Sequence, residues 1–288
     1  MLNQPNYREI VRNYYRILLN RDPDTEGWNH YTKLLEKNEI TEQQLIDIFK
    51  NSTEYKLSYP IELDKDTPIN IKMKKEWDAR AKMDQLFVIA TGSSQTEENF
   101  WNSGIEDYKK ISGMGTQRFQ ETTKNKDPSK MRILEIGCGI GRILLPMSKI
   151  FGESIGIDIS TEMVQQGQKY FANIPDCKIL ENNGIDLALF SDNYFDFCYS
   201  FIVFQHIPEK KIVEKYIEEV SRVLKPTCLF RFQVRGTISK KPTVVTTWDG
   251  VQFTSDEIHK IAKNYNFEII EEGNDKDEYY WLTFKLIK

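Results

Sequence analysis

The feature that most constrains the fold is a glycine-rich loop that directly follows a short apolar run. It reads "LEIGCGIGR" over residues 134–142, with Gly137, Gly139 and Gly141 at alternate positions. Glycines at this spacing let the main chain approach a ligand that side chains would hold away. The loop must therefore stand at the end of a buried strand, where such a ligand can reach it.

Strand-like and helix-like patterns alternate around this loop after residue 131. The strand candidates are "RILEIG", "SIGIDI", "CKILEN", "FDFCYSF" and "CLFRFQV". The helical patterns between them are "GRILLPMSKIF", "TEMVQQGQKYFANI", "IDLALFSDN" and "PEKKIVEKYIEEVSRVLK". This alternation predicts an α/β fold with right-handed crossovers and a mostly parallel sheet. The later stretch "FEIIEEGNDKDEYYWLTFKLIK" holds two strands joined by a turn alone, which predicts an antiparallel pair.

The region before residue 59 predicts a small three-helix module over residues 1–58. Its helices are "YREIVRNYYRILLN", "WNHYTKLLEKNEI" and "TEQQLIDIFKNSTEYK". Thr41 suits the N-cap of the third helix. The first helix has an apolar stripe at helical spacing, formed by Ile10, Tyr14, Ile17 and Leu18.

Residues 59–70 predict a linker, because "YPIELDKDTPIN" has two prolines and no periodicity. Residues 71–130 predict a helical extension or lid of the core, which ends in the polar connection "GMGTQRFQETTKNKDPSK". The first helix of this extension has an apolar stripe of Met73, Trp77, Ala81 and Met83. Residues 131–288 are the predicted ligand-binding core.

Composition narrows the class of protein. The 288 residues carry a formal net charge of −4 with acids and bases mixed, which argues against a general nucleic-acid binder. No apolar stretch is long enough for a transmembrane helix, and the N-terminal residues do not resemble a signal peptide. The four cysteines form no C-x-x-C pair, so we expect free thiols and a cytoplasmic location.

The spacing of the glycine loop bears on its ligand. G-x-G-x-G differs from the dinucleotide fingerprint G-x-G-x-x-G, and no G-K-[ST] follows, which argues against NAD and excludes a triphosphate P-loop. A carboxylate at Glu135 would repel a pyrophosphate and favour a ligand with positive charge. S-adenosylmethionine, which has an ammonium and a sulfonium, is such a ligand.

Polar residues after the next strands complete the predicted cofactor site. Asp158 ends the second strand, where an open α/β sheet places the acid that binds a ribose. Asn183 and the amide of Gly184, after the third strand, are the candidates for adenine. The predicted set is completed by Cys138, Ile159 and Ser200, which adjoin these residues or end the fourth strand.

Four motifs in order carry a family resemblance. "ILEIGCGIGR", "GIDIS", "NYFDFCYSFIVFQHIP" and "EVSRVLKPTCLFRF" resemble those of class I S-adenosylmethionine-dependent methyltransferases, over residues 131–288. The resemblance implies a Rossmann-like, seven-stranded sheet with an antiparallel last strand, S-adenosylmethionine as cofactor, and methyl transfer as activity. "KPTCL" departs from the glycine pair often found there, which we expect to change a turn only.

The N-terminal module resembles a different family. "LLNRDPDTEGWNHY" and "NSTEY" are similar to a helical module of unknown function found in bacterial surface, secreted and glycan-assembly proteins. The resemblance makes the module a candidate for docking a partner protein. "DPDTEG" half-matches a calcium loop, but Lys33 stands where a bidentate Glu is required, so we interpret it as a turn and expect no metal.

The residues that would act on the methyl acceptor are less constrained. His206, after the fourth strand, is either a general base or a structural histidine. Arg235 ends the fifth strand and either binds an anionic group of the acceptor or is solvated. Trp77, Trp101 and Tyr108 either form a lid or pack in the core.

The acceptor itself stays open. The resemblance of the module indicates a hydroxyl of a sugar or surface glycan, by association alone. A small metabolite and a protein side chain are the alternatives. A non-catalytic protein that binds S-adenosylmethionine as a sensor or scaffold is an alternative of a different class.

Overall fold

The sheet of the C-terminal half has seven strands in the part of the chain that the structure describes. The structure is a computed structural model that describes residues 6–19, 21–90, 96–237 and 245–287. The strands are β1 (Arg132–Ile136), β2 (Glu153–Asp158), β3 (Cys177–Glu181), β4 (Phe195–Ser200), β5 (Leu224–Val234), β6 (Phe267–Glu272) and β7 (Tyr280–Leu286).

The strand order is β3-β2-β1-β4-β5-β7-β6. Strands β1 to β5 run parallel to one another, and β7 runs antiparallel to both β5 and β6. Both sheet predictions, the parallel core and the antiparallel final pair, are therefore confirmed. β7 follows β6 in the chain but lies between β5 and β6 in the sheet.

Helices flank the sheet and precede it. Before β1 they are α1 (Tyr7–Leu18), α2 (Thr25–Glu36), α3 (Glu42–Asn51), α4 (Thr53–Ser58), α5 (Ile69–Ile89), α6 (Glu97–Ser112) and α7 (Gln117–Thr123). After β1 they are α8 (Leu144–Ser148), α9 (Thr161–Phe171), α10 (Lys210–Val223) and α11 (Ser255–Asn264). None of the helices in the described ranges combines the length and apolar character needed to cross a bilayer.

Strand β1 is buried on both faces, as its continuous apolar run indicates. Leu134 and Ile136 belong to the larger apolar cluster on one side of the sheet, and Ile133 belongs to a second cluster on the other side. All three side chains are at most 2% exposed. The strand that leads into the glycine loop is thus held rigidly by both layers.

The connection from β3 to β4 is a loop, so the helix predicted over "IDLALFSDN" is wrong. Asn183 Oδ1 accepts from the amides of Ile185 and Asp186, and Asp186 Oδ1 accepts from the amide of Ala188. Side-chain acceptors that take local amides compete with a helix for the same donors. Arg222 on α10 then holds the loop by donating to two of its carbonyl groups.

Strand β5 begins four residues earlier than the predicted "CLFRFQV", at Leu224. The register against β4 shifts between Phe195 and Phe197, so the added residues form an irregularity that accommodates Pro226. Thr227 has φ +62°, in the left-handed region that favours glycine. The departure "KPTCL" therefore lies in an irregular part of the strand and not in a turn, contrary to expectation.

The N-terminal helices differ from the prediction in two details. The third predicted helix is broken at Ser52, whose Oγ accepts from the amide of Tyr55 and starts α4. Thr41 is the N-cap of α3, as predicted. The buried face of α1 centres on Val11 and Tyr15, and the predicted stripe is shifted because Ile17 is 65% exposed.

The extension between the module and the core also differs. Helix α5 begins at Ile69, two residues earlier than predicted, and Met83 of its predicted stripe is 45% exposed. The segment predicted as a polar connection contains α7. Asp78 on α5 accepts from Ser160 Oγ and from the amide of Glu162, which anchors α5 to the start of α9.

Helix α4 contacts the core although it lies before the predicted linker. The Leu57 side chain is 7% exposed and packs in a cluster with Val88, Phe100 and Ile140. Its carbonyl accepts a 2.6 Å hydrogen bond from Arg80 Nε. By its contacts, Leu57 belongs to the part of the chain that follows residue 70.

This contact makes the domain boundary testable. We expect a chain that begins at Pro68 to fold, but with a free energy of unfolding lower by about 2–5 kcal/mol, the usual loss for a removed buried leucine. A chain that begins at Ser52 keeps α4 and should retain the higher stability. Urea titration of both chains measures the difference. Equal stabilities would contradict the role of Leu57, and an insoluble chain from Pro68 would show the predicted boundary to be wrong.

Candidate active site

A cavity opens at the carboxyl edge of the parallel strands, under α5. The loops after β1, β2, β3 and β4 all contribute to its lining, and α5 closes it from above. The carboxyl edge is where open α/β sheets bind ligands. Of the predicted residues, those that line the cavity are Gly137, Gly139, Asp158, Ile159, Gly184, His206 and Trp77.

Asp158 joins two of these loops. Its Oδ2 accepts a 2.8 Å hydrogen bond from the amide of Gly139, and its Oδ1 accepts one of 2.9 Å from the amide of Ser160. Burial raises the pKa of Asp158 above its usual value, while these two amide donors act in the opposite direction. Each carboxylate oxygen keeps a further lone pair, so the side chain can still accept from ribose hydroxyls.

The glycines of the loop have different surroundings. Gly139 has φ +56°, and an added Cβ would lie 3.0 Å from Ile89 Cδ1 on α5, across the cavity lining. Gly141 has φ +91° and does not line the cavity. It packs against α9, where an added Cβ would collide with Phe171. Gly139 therefore gives room to a ligand, whereas Gly141 allows close packing of a helix on the strands.

Glu135 lies outside the cavity lining, contrary to the reasoning that made it a direct ligand. It is buried on the opposite face of β1, where Tyr199 Oη donates to its Oε2 at 2.9 Å. Burial raises the pKa of Glu135 to about 8, so the carboxyl is mostly protonated at neutral pH. The predicted role of Glu135 as a direct ligand therefore does not agree with its position on this face of the strand.

The polar side chain after β3 is Asn182, not Asn183. Asn182 lines the cavity and is 6% exposed, whereas Asn183 is exposed and its Oδ1 is used within the loop. Asn182 Oδ1 accepts from the amide of Gly184 at 2.7 Å and from Tyr216 Oη at 2.6 Å. The amide of Gly184, predicted to bind adenine, thus already has an acceptor.

Two further predicted residues point away from the cavity. Cys138 is 3% exposed and packs in an apolar cluster behind the loop. Ser200 is 1% exposed, and its Oγ donates to the carbonyl of Ile136 at 3.1 Å. The cavity after β4 is lined instead by Phe201, Ile202 and Val203. Ile202 has φ +55°, an unfavourable conformation for a β-branched residue that is typical of functional sites.

His206 lines the cavity as a neutral imidazole. Its Nδ1 lies 2.6 Å from the carbonyl oxygen of Trp248, which can only accept, so Nδ1 carries the proton. Its Nε2 lies 3.3 Å from Gln205 Nε2 and accepts from that amide. Burial lowers the pKa of His206 to about 4, and Arg80 acts in the same direction.

Arg235 is not available to bind an acceptor. It is 8% exposed, lies outside the cavity lining, and pairs with Asp249 at 2.8 Å and Glu278 at 3.0 Å. Both alternatives considered for it, an anion-binding arginine and a solvated arginine, are wrong. The sequence placed its partners 14 and 43 residues away, so no local pattern showed them.

Trp101 and Tyr108 pack away from the cavity. Trp101 makes edge contacts with Phe100 and Tyr170, at centroid distances of 5.2 and 5.0 Å. Tyr108 packs against the apolar cluster on the far side of the sheet. The core-packing alternative therefore holds for both, and only Trp77 of the three aromatics lines the cavity.

The sequence reasoning missed most of the wall that α5 provides. Met73, Val88 and Ile89 line the cavity together with Trp77. A signal was present, because α5 is apolar on more than one side, as is typical of a helix covered on two faces. The distribution of apolar residues on α5 did not indicate which surface they cover.

Comparisons with known proteins find similarity in two parts of the chain. Residues 134–232 match a family model described as "Methyltransferase domain", and residues 3–59 match one described as "Domain of unknown function (DUF4214)". Sterol 4-C-methyltransferase of Caenorhabditis elegans is 34% identical over 96 residues, which are 32% of this chain and 28% of that protein. Demethylmenaquinone methyltransferase of Staphylococcus aureus is 30% identical over 99 residues, which are 33% of this chain and 39% of that protein. The chain thus spans well under half of either relative.

A solved structure shares the fold. Magnesium protoporphyrin IX methyltransferase of Synechocystis PCC 6803, solved with bound S-adenosylhomocysteine, aligns with a TM-score of 0.53 at 14% identity. The alignment covers 74% of this chain and 97% of that one. The two share the Rossmann-like fold, and the ligand named for that structure is the demethylated form of the predicted cofactor, S-adenosylmethionine.

The cavity fits this cofactor. Gly137 and Gly139 line it without side chains, and Asp158 keeps acceptor capacity beside them. Asn182 retains one amide hydrogen, since its Nδ2 donates only to the carbonyl of Asp186 in the described ranges. Among the described residues, no cluster of His, Cys, Asp and Glu has the arrangement of a metal site.

The role of Asp158 can be tested by binding of S-adenosylhomocysteine. Asp158→Asn removes the charge and should weaken binding by about 1.5–3 kcal/mol, the range for a lost charged hydrogen bond. This corresponds to a roughly 10- to 150-fold higher Kd by calorimetry. Glu181→Gln, at the end of the neighbouring β3 and outside the cavity lining, is the matched control and should bind like the wild type. Equal losses in both variants would show that the ribose acid lies elsewhere.

Proposed function

We propose that the chain is an S-adenosylmethionine-dependent methyltransferase that acts on a neutral acceptor with an apolar face, with a phenolic hydroxyl as the group that receives the methyl. One observation carries the proposal. Apart from the residues assigned to the cofactor, the described cavity lining is apolar and aromatic, with His206 as its polar member toward the acceptor.

The cavity wall indicates the charge of the acceptor. No lysine or arginine stands among the residues that line the cavity in the described ranges. An acceptor with a carboxylate or phosphate inside the cavity would lose its hydration without gaining a cationic partner, which is costly. The apolar members of this wall are Met73, Trp77, Val88, Ile89, Phe201, Ile202, Val203 and Ile207. A flat, uncharged ring fits such a wall.

The low pKa of His206 indicates which kind of hydroxyl group receives the methyl. A base whose conjugate acid has a pKa of about 4 is poorly matched to removing a proton from an aliphatic alcohol. A phenol has a pKa near that of tyrosine, about 10, and needs far less help to lose its proton. We therefore give His206 the task of orienting the acceptor by contact with its ring, and not that of a general base, because Nε2 already accepts from Gln205.

The residues present then have distinct tasks. Gly137 and Gly139 give the cofactor access to the main chain, Asp158 binds its ribose, and Asn182 faces its adenine end. When bound, the cofactor supplies a sulfonium methyl group that a nucleophile can displace in line. Trp77 and the residues after β4 hold the acceptor in line and exclude water, which by itself is worth several orders of magnitude in rate.

A hydroxyl of a sugar or surface glycan is the second candidate. Trp77 favours it, because its side chain lines the cavity and offers a ring on which a sugar can stack. The two curated relatives are named for a sterol and for demethylmenaquinone, which agrees with an apolar acceptor, but the first name places the methyl on a carbon and so does not bear on a phenolic oxygen. A protein side chain and a non-catalytic sensor are the remaining alternatives.

We also retain proposals for the rest of the chain. The four cysteines are all free and buried, which supports a reducing cytoplasm as its location. Residues 1–58 form a helical module before the linker 59–70 and the extension 71–130 of the core 131–288. The module remains a candidate docking site for a partner protein.

An acceptor panel tests the substrate class. The purified chain, with methyl-labelled S-adenosylmethionine, should label simple phenols and hydroquinones in preference to neutral oligosaccharides, benzoates and phosphorylated sugars. Calorimetry with S-adenosylhomocysteine runs in parallel and establishes that the cofactor site is intact. Labelling confined to oligosaccharides would overturn the phenol proposal and favour the second candidate. Cofactor binding without label in any acceptor class would favour the sensor.

A single substitution tests the role of His206. His206→Asn can still donate to the Trp248 carbonyl but cannot accept a proton at neutral pH. If His206 orients, turnover on the labelled acceptor should stay within about tenfold of wild type, whereas loss of a general base costs about 10²–10⁴-fold.

The pH profile provides an independent check of the same residue. Because burial lowers the pKa of His206 to about 4, the imidazole stays neutral down to that pH, and wild-type turnover should show no inflection near 6.5 that His206→Asn removes. An inflection near 6.5 that disappears in His206→Asn would identify a base with an ordinary pKa.

A further inference from the structure

A buried arginine lies directly behind the aromatic wall of the cavity. Arg80, one turn after Trp77 on α5, is 0% exposed. Burial lowers its pKa to about 10, so the guanidinium is still charged at neutral pH. Placing such a charge in the interior is costly unless its N–H groups are paired, so its contacts should show what the charge is for.

The guanidinium joins three segments that are distant in the chain. Its Nε donates to the Leu57 carbonyl of α4 at 2.6 Å, and its Nη2 donates to Thr247 Oγ1 at 2.8 Å. Nη2 also lies 3.7 Å from Glu76 on its own helix, and Thr247 Oγ1 donates to the same carboxylate. Residue 57 lies within the stretch 3–59 that matches the N-terminal family, so the first of these partners comes from that module.

The same guanidinium packs on two aromatic rings beside His206. Its Cζ lies 4.8 Å from the ring centroid of Trp77 and 5.7 Å from that of Trp248. The two rings lie 5.3 and 5.2 Å from the imidazole of His206, and Trp248 also supplies the carbonyl that holds Nδ1–H. Arg80 therefore contacts His206 indirectly, once through Trp77 and once through Trp248.

We propose that Arg80 is a positioning residue that sets the orientation of His206 through Trp77 and Trp248, and that α4 orients Arg80 through the Leu57 carbonyl. The inference rests on the proposed function, in which His206 and Trp77 face the acceptor. It makes α4 a support of the acceptor site, because Arg80 lies between the Leu57 carbonyl and the two tryptophans that contact His206.

The geometry needs an arginine in particular. The two donors that bind Leu57 and Thr247 belong to one rigid plane, and the same plane lies against the tryptophan rings. A lysine at position 80 would keep a charge but has a single nitrogen and no plane. Arg80→Lys should therefore fail to restore what Arg80→Met loses, which a purely electrostatic role would not predict.

The test measures the tautomeric state of the His206 imidazole directly. The chain has three histidines, and His30 and His259 are exposed, so long-range imidazole ¹⁵N NMR at pH 7 resolves His206 with two internal references. Wild type should show the single Nδ1–H tautomer. Arg80→Met should give mixed tautomers or exchange broadening at His206 and altered tryptophan fluorescence, with the signals of His30 and His259 unchanged.

Two further variants separate positioning from general destabilisation. Arg231→Met removes another mostly buried arginine, paired with Glu271 far from His206, and should leave the His206 signals as in wild type. Thr247→Val removes the hydroxyl that Arg80 and Glu76 share, keeps Arg80 itself, and should reproduce the change at His206 in part. If Arg80→Met does not fold, the His206 signals of Thr247→Val provide the test of the inference.

Unchanged His206 signals in folded Arg80→Met, or in Thr247→Val where that variant decides, would overturn the inference. Rescue of the His206 signals by Arg80→Lys would also overturn it. Calorimetry of the wild type with S-adenosylhomocysteine separates this inference from the proposed function. Absence of binding there would contradict the methyltransferase proposal, whereas the NMR spectra depend on no cofactor and no acceptor.

Discussion

The carboxylate of Asp158 is the contact on which the rest of the site depends. It accepts from the amide of Gly139 after β1 and from that of Ser160 after β2, so it ties together two loops that would otherwise move separately. Ser160 in turn starts α9 and donates to Asp78 of α5. The loop that gives access to the cofactor and the helix that covers it are thus set by one side chain and its two neighbours.

The sequence predicted the parts of the fold and site that depend on local pattern. The apolar runs of β1 and β2 and the glycine spacing that follows them indicated a sheet edge with a ligand there, and Gly139 and Asp158 lie at that edge. These residues are determined by their position at the end of a strand. Because parallel strands end at one edge, local reading was enough to bring them together.

The remaining details depend on contacts between distant segments. Asn182 and Asn183 differ by one position, and a shift of one residue in an extended segment reverses which side chain points inward. Arg235 had a plausible place at the end of β5, but its partners come from later segments and occupy it fully. The wall provided by α5 followed from no motif, because apolar residues alone do not reveal which surface they cover.

The placement of β7 bears on how the molecule is made. This strand lies between β5 and β6, yet it is synthesised after both. Until residues 280–286 have left the ribosome, β5 and β6 each present an unpaired edge with apolar side chains behind it. Open edges of this kind favour pairing with other chains. The half of the sheet formed by β5, β7 and β6 is therefore completed late, and a chain interrupted before β7 would be prone to aggregate.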